Sequence, residues 1–113
     1  MTNIIKYKEF EEVDIRVGTI ISAEENLNLN NPSIILKIDF GAKIGIKKSS
    51  AQLIKNYKPE DLINKQIAAV VNFESKQIGN LISEVLVLGF PDKSNEPILI
   101  EPNKMIPNGG KLF

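Results

Sequence analysis

The sequence contains no cysteine, histidine or tryptophan among its 113 residues. Without cysteine the chain has no disulfide framework and no thiol nucleophile, and without histidine it lacks the commonest general base. Together the two absences exclude a structural zinc site built from the usual ligands. The chemistry that remains belongs to carboxylates, lysines, hydroxyls and amides.

Long apolar runs are also missing. The longest apolar stretches lie at 67–71 and 85–88, and both are far too short to span a bilayer. Residues 1–10 include Lys6, Lys8 and Glu9, so they lack the uninterrupted apolar segment of a secretory signal. We therefore expect a cytoplasmic protein without membrane insertion. The length predicts a single domain over residues 1–113.

Positive and negative charges are equal in number but unevenly distributed. Six lysines lie between positions 37 and 58 against Asp39 alone, whereas residues 9–25 hold six acidic side chains against Arg16. A neutral chain with a basic middle can bind an anion locally. The alternative is that these lysines keep the edge of a sheet soluble.

The run at 13–20, VDIRVGTI, predicts a half-buried strand because apolar and polar residues alternate in it. The apolar residues at positions 13, 15 and 17 share one face, and Asp14 and Arg16 share the other. These two form either an exposed ion pair or a contact that fixes the geometry of the sheet. Gly18 is expected to bend the strand so that a barrel can close.

Further elements follow from the pattern of apolar runs and turn residues. Ser49 or Ser50 is expected to cap a helix that Pro59 stops, after which residues 60–62 add one more turn. Helices are predicted at 1–12 and after residue 50, and strands at 13–23, 34–40, 44–48, 67–73, 83–90 and 97–100. Three bent strands, a helix and two more strands give the order of a mainly β, five-stranded Greek-key OB-fold barrel with short terminal extensions. A small barrel or sandwich without the helix is the alternative.

No pattern in the chain indicates catalysis. The sequence has neither a Ser-x-x-Lys motif nor a glycine-rich phosphate loop ending in lysine. Residues 92–96 lack the glycine and the spacing of a calcium loop, so they predict a solvated turn. We expect a binding protein that is not an enzyme and has no cofactor.

Three stretches resemble one known family, namely VDIRVGTI, IGIKKSSAQLIKNYKPEDLINKQIAAVVNF and SEVLVLG. They are similar to the tRNA-binding barrel domain of some aminoacyl-tRNA synthetases and of endothelial monocyte-activating polypeptide. The resemblance extends from about Phe10 to about Gly110 and includes a free-standing bacterial and archaeal member that is a protein-export chaperone. It implies a homodimer that binds unfolded or export-bound polypeptides, with tRNA binding in related domains.

The resemblance also marks binding residues for peptide or tRNA, which are Lys47, Lys48, Ser49, Ser50, Gln52, Asn72, Lys76 and Ser83. Some have a structural alternative: the serines at 49 and 50 as helix caps, Asn72 and Ser83 as partners of backbone groups. Adjacent lysines on a strand point to opposite faces, so at most one of Lys47 and Lys48 reaches a given surface. The hairpin carries Glu74, Ser75 and Gln77 where the family has prolines and a second basic residue, and Ile82 where a lysine is expected. These departures favour peptide over tRNA.

The hairpin after residue 72 is polar but contains or adjoins four sizeable apolar residues: Phe73, Ile78, Leu81 and Ile82. They form either an inward-folded cluster or an exposed patch that suits extended polypeptide or a dimer partner. For stacking on nucleic-acid bases, Phe40 is the expected exposed ring, and Tyr57 and Phe73 are expected in the core.

Apolar residues also occur at both ends of the chain. They are Ile4 and Ile5 near the amino terminus and Leu112 and Phe113 at the carboxyl terminus. We expect these two ends to form the dimer surface, because each would otherwise expose apolar side chains.

Overall fold

The computed structural model describes residues 3–27 and 31–113. In chain order its elements are α1 (Tyr7–Glu11), β1 (Ile15–Asn26), β2 (Ser33–Asp39), β3 (Ile46–Ala51), α2 (Pro59–Leu62), β4 (Gln66–Val70), β5 (Lys76–Ile78), β6 (Leu81–Ser83), β7 (Leu86–Val87), β8 (Gly89–Pro91) and β9 (Pro97–Leu99). Five strands form one antiparallel sheet in the order β3-β2-β1-β4-β7, while β5–β6 and β8–β9 are separate hairpins. The sheet is curled into a half-barrel, which confirms the predicted mainly β, OB-like fold. No helix within the described residues has the length and apolar character needed to cross a membrane.

The core lies on the concave side of the curled sheet. Strand β2 shows why, because Ile34, Leu36 and Ile38 are fully buried while Lys37 between them is exposed. Each buried branched side chain contributes about 1.5–3 kcal/mol of transfer free energy, so this strand is a major source of stability. Other buried apolar residues around it come from several elements: Ile20, Phe40, Leu53, Leu62, Ile67, Ala69, Val85 and Leu99.

Gly18 produces no bulge in β1 and allows close packing, while the bend expected at this position stays a prediction. The pairing of β1 with β4 has an uninterrupted register at this position. The irregularity of β1 lies further on, between Ile20 and Ser22, in its pairing with β2. A Cβ atom at position 18 would lie 2.7 Å from Ile38 Cγ2 and 2.7 Å from Phe40 Cδ1. The ring of Phe40 therefore packs where a side chain of residue 18 would stand. The expectation that Phe40 is an exposed stacking ring is wrong, because the residue is only 1% exposed.

The helix between β3 and β4 exists, but it consists only of the further turn predicted at 60–62, and the longer helix predicted after residue 50 does not form. Ser49 and Ser50 continue β3 instead of capping a helix, and residues 52–58 form turns and extended segments. Pro59 is the first residue of α2 and does not end a helix, because proline at N1 loses no intrahelical hydrogen bond. Ser49 is held in the strand by its Oγ, which donates to the carbonyl oxygen of Val85 at 3.0 Å.

Other predicted bounds differ by a few residues. The amino-terminal helix is confined to α1 and does not fill 1–12; positions 1 and 2 lie outside the described residues, as do positions 28–30. The third strand starts at Ile46 and not at 44, and the strand predicted at 67–73 ends at Val70. The segment 83–90 is not one strand. Its first residue is the last residue of β6, the chain bends at Val85, and the remainder forms β7 and the first part of β8.

The carboxyl-terminal segment pairs with the start of β1. Gly109 N donates to Val17 O at 2.8 Å, Val17 N donates to Gly110 O at 3.1 Å, and Leu112 N donates to Ile15 O at 2.8 Å. The half-buried guanidinium of Arg16 donates to Asp14 at 2.6 Å and, through Nη1, to Gly109 O at 2.9 Å. The Asp14–Arg16 pair is thus no isolated surface ion pair, since it orients the guanidinium that holds the end of the chain.

Candidate functional site

A cleft of about 760 Å³ opens between the two edges of the curled sheet. One wall is the end of β3 with residues 52 and 53, the opposite wall is the segment 84–89, and the β5–β6 hairpin contributes a third side. Strands β3 and β7 are the outermost strands of the five-stranded sheet, so curling brings them face to face. The cleft exists because the two edges do not pair along their whole length.

The two edges meet at one end of the cleft. Glu84 N donates to Lys48 O at 2.8 Å, and Lys48 N donates to the Glu84 carboxylate at 3.0 Å. Ser50 N donates to Ser83 Oγ at 3.0 Å, and Ser50 Oγ donates to Ser33 Oγ at 3.0 Å. With the Ser49–Val85 bond, these contacts show the three predicted serines in structural roles that fasten one sheet edge to the other.

The cleft is predominantly apolar. Its deep part is lined by the buried side chains of Leu53, Val85 and Leu99, and its outer part by the exposed side chains of Phe73 and Ile78. Phe73 is 54% exposed, so the expectation that it belongs to the core is wrong. An exposed aromatic ring beside buried aliphatic side chains is a typical arrangement for binding an apolar ligand.

The structure brings only some of the predicted site residues together. Seven of them line the cleft: Ser49, Ser50, Gln52, Phe73, Lys76, Ile78 and Ser83. The others do not: Lys47, Lys48, Asn72, Leu81 and Ile82. Asn72 binds backbone instead, accepting from Asp14 N at 2.9 Å and donating to Glu12 O at 2.8 Å. Its amide thereby fastens the end of β4 to the segment before β1.

Charges in and around the cleft are arranged unequally. The cleft is lined by two carboxylates, those of Glu74 and Glu84, and by one ammonium group, that of Lys76. Lys47 Nζ lies 4.0 Å from the Glu84 carboxylate, which partly neutralises it. A polyanion therefore gains little from this lining.

The lysines of β3 point to opposite faces, as predicted. Lys47 is opposite Ile38, which faces the core, whereas Lys48 is opposite the exposed Lys37 on the outer face of the sheet. Neither Lys37 nor Lys48 has an ion-pair partner among the residues that the structure describes. Two ammonium groups directly opposite each other repel, and an anion bound between them relieves the repulsion.

The solvated turn predicted at 92–96 joins β8 to β9. Hydrogen bonds from the Asn56 amide group and from the backbone N–H groups of Glu96 and Ser94 lower the pKa of the Asp92 carboxyl group. Those bonds account for the carboxylate's position in the turn. Within 3–27 and 31–113 there is no group of three side chains able to hold a metal ion.

Sequence reasoning missed Leu86, which lines the cleft and is half exposed, and Leu53, which lies in its floor. The sequence predicts one strand over 83–90, and nothing in its apolar run 85–88 distinguishes Leu86 as the exposed residue. Leu53 lies after residue 50, where the predicted helix does not form. Only the gap between the two sheet edges identifies these residues.

Comparisons with known proteins agree with this fold. Residues 15–111 match the sequence family described as "Putative tRNA binding domain". The solved structure of the chaperone CsaA from Bacillus anthracis str. Ames is 45% identical, with a TM-score of 0.91, and the match covers 98% of this chain and 100% of that one. For CsaA of Picrophilus torridus the identity is 48% and the TM-score 0.88, over 97% and 100% of the two chains.

Curated relatives include much longer proteins. The methionine–tRNA ligase of Pyrococcus horikoshii is 33% identical over 108 residues, which are 96% of this chain but 14% of the ligase. The chain thus spans about one seventh of the length of that relative.

Proposed function

Since the chain belongs to the tRNA-binding-domain family and is CsaA-like in sequence and fold, we propose that it is a non-catalytic chaperone domain that holds unfolded polypeptides in its cleft. The observation that carries this proposal is the exposed apolar wall formed by Phe73 and Ile78 beside the buried floor of the cleft. Unfolded chains expose apolar side chains that a folded protein buries, and such a wall removes them from water. Export-bound preproteins in the cytoplasm are the physiological ligands in this proposal.

The β5–β6 hairpin offers a matched pair of variants to test it. Ile78 and Ile82 are both exposed on the same hairpin, but only Ile78 lines the cleft. We expect Ile78→Ser to reduce the suppression of aggregation of a reduced, unfolded test protein roughly tenfold, the loss expected for about 1.5 kcal/mol of apolar burial. Light scattering of the test protein at increasing concentrations of each variant measures the effect.

Ile82→Ser is the control and should protect as well as the unaltered chain. If both variants suppress aggregation equally, the cleft is not the site at which unfolded polypeptides bind. Failure of the unaltered chain to slow the rise in scattering would contradict the chaperone proposal itself.

The proposed homodimer forms through the two ends of the chain. Lys111 Nζ donates to Glu11 O at 3.2 Å, and Leu112 is bonded to Ile15, so the carboxyl-terminal residues lie beside the amino-terminal segment. Ile4 is completely exposed, as is Phe113, and Ile5 is 61% exposed. The apolar residues at the two ends together supply a patch that a second copy of the chain covers.

Removal of residues 1–5 and 112–113 is therefore expected to convert the dimer to a monomer, because it takes away the apolar patch and leaves the strands intact. Native mass spectrometry of the full and shortened chains gives the result. A shortened chain that still has the mass of a dimer would place the interface elsewhere.

The second candidate function is tRNA binding. The family match favours it, as do Lys37 and Lys48, which lie opposite each other without an ion-pair partner among the described residues. Binding through phosphates releases counterions, so affinity should fall steeply with added salt. We expect the double variant Lys37→Glu, Lys48→Glu to lower tRNA affinity by at least about tenfold at low salt, since each charge reversal replaces attraction by repulsion. Filter binding over a salt series measures it.

Charge reversal at Lys47 and Lys76 distinguishes tRNA binding at the cleft from tRNA binding at the outer face of the sheet. These two lysines flank the acidic cleft, so their reversal should affect tRNA less than reversal at the outer face. The double reversal Lys93→Glu, Lys104→Glu, at two exposed lysines outside β3 and the cleft lining, is the control for net charge. An affinity that does not depend on any of these lysines would contradict a phosphate-binding role.

A further inference from the structure

One side of the β7–β8 segment has no hydrogen-bond partners among the described residues, and that side faces the cleft. Its other side is paired first with β4, through Val70 and Leu86, and then with β9, through Phe90 and Ile98. Val87 and Gly89 both line the cleft. Along the strand, residues whose backbone groups point into the cleft alternate with residues whose backbone groups take part in the two ladders.

The hydrogen bonds that flank these two residues establish the direction of their backbone groups. Leu88 N donates to Ala68 O at 3.0 Å, which makes Val87 and its partner on β4 a non-hydrogen-bonded pair. Ile100 N donates to Leu88 O at 3.1 Å, which does the same for Gly89 and its partner on β9. The N–H and C=O groups of Val87 and Gly89 therefore point away from β4 and β9.

No residue of the described chain bonds to these four groups. On the same side of the strand, the carbonyl of Val85 is already occupied by Ser49 Oγ of β3. Strand β3 ends at Ala51, however, and leaves the next two outward positions open. The result is a short unpaired sheet edge inside an apolar cleft, with Pro91 at its far end to prevent further pairing.

We propose that a polypeptide binds in the cleft as an added β-strand, pairing its main chain with the N–H and C=O groups of Val87 and Gly89. This inference rests on the proposed chaperone function and specifies how the ligand is held. Main-chain pairing accounts for binding without a fixed sequence, because every residue except proline offers the same donor and acceptor.

The surroundings of the edge select an extended polypeptide over RNA. The cleft lining holds the carboxylates of Glu74 and Glu84 against the single ammonium group of Lys76, which repels a phosphate backbone. Alternate side chains of an added strand point to opposite faces of it. One set would pack on the floor near Leu53 and the other against Phe73, so the preferred ligands are strand-forming segments rich in apolar and β-branched residues.

The test uses the intact protein and a synthetic peptide of alternating valine and threonine with a lysine at each end. Amide hydrogen exchange is followed by NMR with and without saturating peptide. We expect exchange at Val87 and Gly89 to slow by at least about tenfold, because their N–H groups gain acceptors. Leu88, which is already bonded to Ala68, serves as the internal control and should not change.

Two N-methylated versions of the peptide provide a second measurement that needs no protein variant. Each has methyl groups on one alternate set of its amides, so only one of them loses the donors that face the sheet edge. We expect that version to bind at least about tenfold more weakly and the other to bind like the parent peptide, since the side chains are the same in both.

The outcomes separate the mode of binding from the function. If the parent peptide binds in competition with an unfolded protein, but exchange at Val87 and Gly89 is unchanged and both methylated versions bind equally, strand addition is wrong and the chaperone function stands. If neither the peptide nor the unfolded protein binds, both proposals are wrong.

Discussion

Gly18→Ala is expected to lower the melting temperature by roughly 5–15 °C, which corresponds to a loss of about 1–3 kcal/mol from overpacking. The added Cβ would lie 2.7 Å from Ile38 Cγ2 and 2.7 and 2.8 Å from two atoms of the Phe40 ring. Carbon atoms at van der Waals contact are about 3.5–4.0 Å apart, so one side of the contact has to move.

Neither neighbour has room to move. Ile38 is fully buried and Phe40 is 1% exposed, so a shift of either displaces other core side chains. The backbone carbonyl of Phe40 also packs closely against Gly109, where an added Cβ would lie 2.5 Å from the carbonyl oxygen. Close packing of this kind transmits a small local overlap to the surrounding core.

Thermal unfolding followed by circular dichroism measures the effect, with Gly110→Ala as the matched control. At position 110 the nearest atom to an added Cβ is Val17 Cγ1 at 3.9 Å, an ordinary contact. The control should therefore melt close to the unaltered chain. Equal melting temperatures for the two variants would show that the Phe40 ring does not require glycine at position 18.

Gln66→Leu is expected to lower the free energy of unfolding by about 2–3 kcal/mol, because it removes three hydrogen bonds at a buried site. Gln66 Nε2 donates to Ile106 O at 2.7 Å and to Asn108 Oδ1 at 3.1 Å, and its Oε1 accepts from Ile106 N at 3.0 Å. Asn108 Oδ1 also accepts from Thr19 Oγ1 at 2.7 Å. The Gln66 amide thus fastens the carboxyl-terminal segment to β4, and the Asn108 side chain fastens the same segment to β1.

Urea denaturation measures the loss, and trypsin digestion locates it. The variant should be cut after Lys104 faster than the unaltered chain, because the segment that follows is no longer held by residue 66. Gln52→Leu is the control, since Gln52 is exposed and makes no side-chain hydrogen bond with any residue that the structure describes. If the two variants are equally stable and equally resistant to trypsin, Gln66 is not the attachment point of this segment.

Strand β2 was placed correctly because its burial alternates. In β2 the fully buried isoleucines and leucine are separated by exposed or half-buried residues, and the same local period is visible in the sequence. The run 13–20 was likewise assigned to the first strand, although the strand begins at Ile15, so that Val13 and Asp14 precede it, and it extends further, to Asn26. Such patterns are local, so a single chain reveals them without knowledge of its partners.

The errors occurred where a local preference competed with a distant partner. Ser49 and Ser50 have the residue type of helix caps, but hydrogen bonds with Val85 and Ser83 keep them in β3. Phe40 and Phe73 are the same residue type in similar positions after a strand, yet one fills the space above Gly18 and the other stands in the wall of the cleft. A sequence window contains no information on which ring finds a space in the core.

The family, the mainly β fold and the absence of cysteine and histidine chemistry follow from the residues alone, because identity and local period do not depend on distant contacts. The cleft does not, because it is the gap between β3 and β7, strands that are far apart in the chain and adjacent only when the sheet curls. Folding likewise decides which predicted site residues face it: Ile78 does and Ile82 does not, although both are exposed isoleucines of one hairpin. The free backbone groups of Val87 and Gly89 depend on the same curvature, since β3 ends before it reaches them.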